Sequence, residues 1–463
     1  MKPTYEELEK TVERLTEDLS KTQNLLKLAL NRISELEERL NKNSKNSSKP
    51  PSGDRKGNSD DGSTKDKLPR KGFNRERISP DKIDEIIDCS LDLCPDCGSN
   101  NLLNEDNPEV LQQVELPEIR ALVTEFRCQK YECRCCGSRS MASLPNGIPN
   151  SSFGPKLMAL IAHLTGILHL SKRDAIQLLK DLYDVDICEG SIINVEERVG
   201  FAIKDIYERI HQFVTKSHFC KHFDETSWRN AGKNHFVWVA STQHATCFKI
   251  DPSRSRDAFQ NFVGTLGKAP IVTDRYGVYK NVSKLHQYCL AHLIRDFKKF
   301  AERKGLDGEI GGDIEELLRK VCRVHRRYKR EEISIRSRNI RIGHLRMKLE
   351  GCLIDGMASG SIDFGDFCQN VLDKFENLWV FAKSSNTDPT NNLAERDLRS
   401  LVLYRKKSYG TRSERGKRFI ERISTVAGTV KRKSQNIIKF LTDAVTAFYQ
   451  GEEAPYLNMS FGF

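Results

Sequence analysis

Three carboxylates set among strands and arginines are the first residues here whose types and spacing could do chemistry. Asp224 closes the short extended run "HFCKHFD" (218–224), and Asp274 closes the apolar run "APIVTD" (269–274). If those strands are neighbours, the two acids meet at one sheet edge, where they repel unless a cation lies between them. Mg²⁺ (or Mn²⁺) suits that place: it takes oxygen ligands, keeps several waters, and commonly uses one or two carboxylates with substrate phosphate oxygens. A third carboxylate allows two ions about 3.5–4 Å apart, clamping the attacking and leaving oxygens of an in-line displacement. Glu395 is the candidate. It stands in "PTNNLAERDLRSLVLYRKKSYGTRSERGKR" (389–418), a stretch otherwise crowded with cations. Arg399, four residues on, offers it an ordinary helical ion pair instead, and both readings stand at this level. In the metal reading Arg396, Arg399, Arg405, Lys406, Lys407 and Arg412, with Arg415, Lys417 and Arg418, hold a nucleic-acid backbone while Glu395 faces the ion. Asn391 and Asn392 cap the helix or contact the substrate.

A second constellation is a repeated thiol knuckle, "CPDCGS" at 94–99 and "CRCCGS" at 133–138. In each, two cysteines flank two residues and a glycine follows, which suits a tight turn presenting two sulfurs to a tetrahedral ion. Cys94, Cys97, Cys133 and Cys136 are the expected ligands of a structural Zn²⁺, since four thiolates leave no open position. Cys128 and Cys135 are spares. Between the knuckles, "VLQQVELPE" and "ALVTEFRCQKYEC" read as strands of a ribbon hairpin. In "CLAH" (289–292), Cys289 and His292 are either half a metal site or a core pair that positions the nearby Asp274 strand.

The elements that must carry these groups alternate between helix and strand. A heptad over 5–40 places Leu8, Leu15, Thr22, Ala29 and Leu36 on one seam, and Tyr5, Val12, Leu19, Leu26, Ile33 and Leu40 on the other. A lone helix would leave that stripe wet, so residues 1–41 read as a coiled coil that pairs with a second copy. Residues 42–80 are nearly free of apolar side chains and read as a disordered linker. A zinc ribbon follows at 81–145. Residues 150–215 read as helices, with Ser171 as an N-cap and a break near 184–190 that permits a helix-turn-helix or a plain helical hairpin. From 216 to 430 three strands, a helix and a further strand follow the order of a ribonuclease-H-like α/β domain, whose first and fourth strands are neighbours. A C-terminal helix and tail complete the chain at 431–463. The fold class is multidomain α+β.

Charge and composition narrow the function. The 463 residues carry a formal net charge of +11 and are 30% charged. Between positions 319 and 348 twelve Lys or Arg face two acids, a local net of +10. Arg326, Arg327, Lys329 and Arg330 lie in this window, which reads as a nucleic-acid contact or, more plainly, as a solvated helix face. The N-terminus lacks the basic-then-apolar order of a secretion signal, and the longest apolar run (157–170) is too short to span a bilayer. Fourteen cysteines without such a signal favour thiols or metal over a disulfide framework. The expected location is cytoplasmic, nucleoid-associated when bound to DNA, with no membrane partner. Trp228, Trp238 and Trp379 read as core; Tyr276 and Tyr279, beside Asp274, could touch substrate.

Taken in order, these features resemble the transposases of the insertion-sequence-66 type, members of the DDE transposase/integrase superfamily. The resemblance rests on the zipper-like start, "NSSKPPS" (46–52), the cysteine knuckles, "DET" (224–226), "TDRYGVY" (273–279), "CLAH" and "NNLAERDLR" (391–399). It implies a helical insertion between the second aspartate and the glutamate, matching about 297–380. It also implies phosphoryl transfer on DNA without a covalent intermediate: water oriented by Asp224 and Glu395 cuts at the element's end, and the 3′-hydroxyl released attacks target DNA. Small accessory proteins encoded by the same element often act with this family. Thr390 stands where members usually carry Asp, and the tail follows the usual ending only loosely. The competing readings are a DNA-binding or regulatory protein derived from a transposase, a ribonuclease-H-like nuclease that only hydrolyses, and a zinc-ribbon transcription factor. The last leaves the strand-borne aspartates unexplained.

Overall fold

The computed structural model describes residues 4–40, 76–103, 108–266, 268–359, 361–384 and 386–459, so most of the polar linker, 41–75, lies outside the described residues. Two units are distinguished, Lys56–Leu122 and a larger one comprising Met1–Arg55 and Val123–Phe463. In the smaller, a single 3₁₀ turn at Pro80–Lys82 is the one regular element among the described residues. There the Gln112 side chain bridges the backbone of Ile78, accepting from its N–H at 2.7 Å and donating to its carbonyl at 2.9 Å.

The larger unit opens with α1 (Tyr5–Leu40), an unbroken 36-residue helix. Its seam is open: Val12, Leu15, Leu19, Leu26 and Ile33 are all more than half exposed. Strands β1 (Lys130–Glu132) and β2 (Arg139–Met141) form a short antiparallel hairpin across the second knuckle. The longer ribbon strands expected between the knuckles are absent among the described residues, where 108–129 is irregular. The reason is burial. Leu111 and Val123 are 91% and 94% exposed, so these apolar positions have no layer to pack on.

Four helices follow, α2 (Pro155–Gly166), α3 (Lys172–Tyr183), α4 (Glu189–Ala202) and α5 (Lys204–Lys216). The expected cap is present, Ser171 Oγ accepting the Asp174 N–H at 3.1 Å. The chain then builds β3 (Lys221–Asn230), β4 (Lys233–Ser241), β5 (Thr246–Asp251), α6 (Arg256–Val263), β6 (Ile271–Thr273) and β7 (His286–Tyr288). These strands make one sheet in the order β5-β4-β3-β6-β7. The first three pair antiparallel, and β3–β6 and β6–β7 pair parallel.

After the sheet come α7 (Leu290–Ala301), α8 (Leu306–Lys329), α9 (Ile335–Met357), α10 (Ile362–Leu372) and α11 (Val380–Lys383). This helical block has a core of its own, built on Leu293, Phe297, Leu318, Phe364, Trp379 and Phe381. The chain then returns to the sheet as α12 (Asn392–Ser408), α13 (Glu414–Arg432) and α14 (Ile437–Gln450). One continuous core joins α2–α5, the sheet and α12–α14, with Trp228 and Trp238 inside it.

Both faces of the sheet are covered, which is why β4 reads as the unbroken apolar run Val237–Ala240. On one face Phe259 of α6 packs edge-on against Phe223 at 5.1 Å between ring centroids. The edge strand β5 is closed by α13, whose side chains at four-residue spacing meet strand N–H groups at two-residue spacing. Glu421, Thr425 and Thr429 accept from Ile250, Phe248 and Thr246 at 2.7, 2.9 and 3.2 Å. An edge that would otherwise template another strand is thereby sealed.

Candidate active site

The site is assembled by α12 lying along β3. At its start Asn391, fully buried, donates through Nδ2 to the Phe223 carbonyl at 2.8 Å. Its backbone N–H donates to Cys289 Sγ at 3.1 Å. Cys289 in turn donates its own N–H to the Thr273 carbonyl at 2.8 Å, and Leu290 N–H reaches the Pro389 carbonyl at 2.9 Å. One residue on each of three segments is therefore tied beside Asp224, Asp274 and Glu395. At the far end Gly410, with φ of +107°, lies so close to β3 that a β-carbon would sit 2.1 Å from the Arg229 carbonyl. Thr411 N–H then bonds that carbonyl at 2.9 Å. Held at both ends, α12 cannot slide, and Glu395 occupies its first turn.

The parallel register pairs Lys221 with Ile271 and His222 with Val272. Carried two residues on, it brings Asp224 and Asp274 level. Asp224 lies inside β3 rather than at its end, because β3 continues through Asn230 in its hairpin with β4. Burial first, then the negative charges of Glu225, Asp274 and Glu395, push the Asp224 carboxyl well above the usual range. Asp274 is raised to about 6, chiefly by burial, against the pull of the Tyr276 N–H that it accepts at 3.0 Å. Asp224 and Asp274 are half-buried and both pushed up, so the pair is short of positive charge. All-oxygen donors in that state fit a hard divalent cation.

Glu395 does not turn to Arg399. Its Oε1 lies 3.7 Å from both His292 Nδ1 and Arg295 Nη2 of α7. The metal scaffold that could accept it is therefore shared: Cys289, His292 and Glu395 offer ligand atoms all within 4.8 Å of one another, the one such group among the described residues. "CLAH" showed only two donors in sequence; the third is about a hundred residues away.

Glu225 is a site residue that the sequence pattern does not single out. It faces away from Asp224 on the strand, its side chain 2% exposed, and receives Arg254 Nε at 2.9 Å and the Tyr279 hydroxyl. Arg254 also lies 4.0 Å above the Tyr276 ring. Tyr279 is thus a buried partner of an acid. The signal available was the acid pair in "DET".

The basic residues divide. Arg396, Arg399, Lys406, Lys407 and Arg412 are exposed. A groove of about 660 Å³ runs beside the start of α12, lined by Asn392, Glu395, Arg396 and Arg399 among others. Arg405 is turned inward, donating to Thr226 Oγ1 at 3.2 Å and to Ser227, so it fastens α12 to β3. Arg415 pairs with Glu197 at 3.0 Å and Lys417 with Glu414 at 2.6 Å. In the +10 window, Arg327 pairs with Glu332 at 3.1 Å, Lys329 lies 3.8 Å from Asp388 and Arg330 lies 3.9 Å from Glu332. Arg326 is exposed. Arg338 is 1% exposed, donates to the Ala382 carbonyl and stacks 4.8 Å over Tyr328.

The two thiol knuckles share one turn. Cys94 N–H bonds the Ser99 carbonyl and Gly98 N–H the Cys94 carbonyl, both at 2.9 Å; Cys133 with Ser138 and Gly137 with Cys133 repeat this at 2.8 Å. Gly98 and Gly137 have φ of +70° and +69°, a conformation that a side chain would strain. Hydrogen bonds ready the sulfurs for ionisation. The Asp96 backbone N–H leads in lowering Cys94, and the Ser138 hydroxyl leads in lowering Cys136 to about 7.

Comparison with known families decides the membership. Residues 150–418 match the transposase IS66 family. The chain belongs to that family. Residues 92–137, which include all four expected zinc ligands, match the zinc-finger binding domain of transposase IS66, and residues 1–76 match a family of unknown function (DUF6444). The search of curated proteins returns no match. Transposase function, a DNA partner and a structural zinc follow from this membership, and none of the described helices is long and apolar enough to cross a membrane.

Proposed function

We propose that this transposase cuts and joins DNA by metal-assisted phosphoryl transfer at Asp224, Asp274 and Glu395, on a ribonuclease-H-like domain. The observation that carries the reading is the β3–β6 register, which levels the two aspartates beside the anchored first turn of α12. Bound Mg²⁺ (or Mn²⁺) would supply Lewis acidity and a nucleophile at neutral pH. Asp224, Asp274 and Glu395 would hold it. Water oriented by Asp224 and Glu395 attacks the phosphorus at the element's end, the P–O bond to the 3′-oxygen breaks, and a 3′-hydroxyl leaves. That hydroxyl then attacks a target phosphodiester, forming one P–O bond as another breaks. Arg396, Arg399, Lys406, Lys407 and Arg412 line the approach as phosphate contacts, while Arg326 and its neighbours on α8 offer a lesser surface. Cys94, Cys97, Cys133 and Cys136 would hold the structural Zn²⁺. The open seam of α1 pairs two copies, bringing two element ends together, with element-encoded accessory proteins as further partners in the cytoplasm.

The test is an assay of labelled end DNA with supercoiled target. Asp224→Asn is expected to bind end DNA normally and to lose both nicking and joining in Mg²⁺. Full nicking by that variant overturns the assignment; cutting without joining by the natural chain points to a hydrolytic nuclease.

A further inference from the structure

We propose that Cys289, His292 and Glu395 form a second, inhibitory metal site, selective for a thiophilic divalent cation such as Zn²⁺, Co²⁺ or Cd²⁺. Three donors of different softness lie within 4.8 Å of one another, and His292 Nδ1 and Glu395 Oε1 are 3.7 Å apart. Both of those atoms are buried without a hydrogen-bond partner. A tetrahedral ion with ordinary zinc bond lengths sets its ligands about 3.4–3.6 Å apart, a spacing that His292 and Glu395 already approach. The frame is already built: Cys289 precedes α7, His292 is in its first turn, Glu395 is in the first turn of α12, and the helix starts are tied through Asn391 and Pro389. Mixed sulfur, nitrogen and oxygen donors favour zinc-like ions over Mg²⁺. Three protein ligands leave a fourth position for water or a phosphate oxygen. Arg295, whose Nη2 is 3.7 Å from the same Oε1, is the cation that a metal would displace.

Glu395 then belongs to two sites and can serve one at a time. A thiophilic ion on Cys289 and His292 withdraws the third carboxylate from the catalytic cluster and stops cleavage. The competition, though not the binding, rests on the catalytic reading of Glu395.

The experiment uses the full chain, stripped of metal and titrated with Co²⁺, followed by thiolate-to-cobalt charge-transfer absorption. The natural chain is expected to bind one equivalent more than Cys289→Ser, whose absorption falls accordingly. Glu395→Gln, at a half-exposed position, is expected to bind the extra equivalent at least about tenfold more weakly with the fold intact. Equal stoichiometry and absorption in the natural chain and both variants overturn the site. Mg²⁺-dependent nicking is measured separately without cobalt: nicking without the extra equivalent overturns this site and leaves the catalytic reading standing, and the extra equivalent without nicking does the reverse.

Discussion

Two strongly basic regions of this chain look alike in sequence and differ in structure. The start of α12 sets exposed arginines beside half-buried acids, and Asn391 at its cap and Arg405 farther along tie it to other segments. The window on α8 and α9 instead settles much of its charge at home: Arg319 with Glu315, Lys320 with Glu316, Arg346 with Glu376. Its most buried member, Arg338, is a packing residue. A run of like charge therefore says little about a footprint until its acids, which lie outside the run, are placed beside it.

Breaking the α12 side gives the largest effect. Asp224→Asn or Glu395→Gln should lower Mg²⁺-dependent nicking roughly 10³-fold or more, with end binding unchanged in a gel-shift measurement. A small loss would place the chemistry elsewhere.

The half-buried acids sharpen the contrast through pH. Asp274 is raised from 3.8 to about 6, so the metal-free folded state holds its proton more tightly than the unfolded state does. Stability should therefore fall as pH rises from about 4 to about 6 and level off above. Asp274→Asn should flatten that slope and stabilise the metal-free protein at pH 7 by about 2–3 kcal/mol in denaturant unfolding. Mg²⁺ should restore the natural chain preferentially above that pH, since the ion competes with the proton.

On the other side of the comparison, Arg338→Ala should cost about 2 kcal/mol of stability by leaving the Ala382 carbonyl unpaired, and should not change the salt dependence of DNA binding. The smallest effect belongs to the exposed cations. Arg396→Ala should change stability by less than about 0.5 kcal/mol yet reduce the slope of log affinity against log salt by about 0.9. If Arg326→Ala reduces that slope equally, the window on α8 is as much a DNA surface as α12.

Much of the fold was legible in the chain. β4 and β5 announce themselves by apolar β-branched and aromatic runs, α3 by Ser171, and Asp274 by the apolar strand that delivers it. The zinc knuckles were legible because a turn of six residues is a local object whose glycine and cysteines are adjacent. What stayed hidden depends on distant partners. The role of Asn391 needs the Phe223 carbonyl, that of Arg405 needs Ser227, and that of Glu225 needs Arg254 and Tyr279. The ribbon strands expected at 108–129 failed for a related reason: β-propensity without a covering layer leaves the side chains in water.

By itself, then, the sequence determined which groups exist, their family, and the local turns and helices that carry them, because these depend on neighbours within a few residues. Only the tertiary structure decided that Glu395 faces α7 rather than Arg399, that Cys289 staples three segments, and that Arg338 is core. Those outcomes depend on which polar groups meet across gaps of tens to more than a hundred residues, which no local pattern specifies, and burial makes an unmet partner costly.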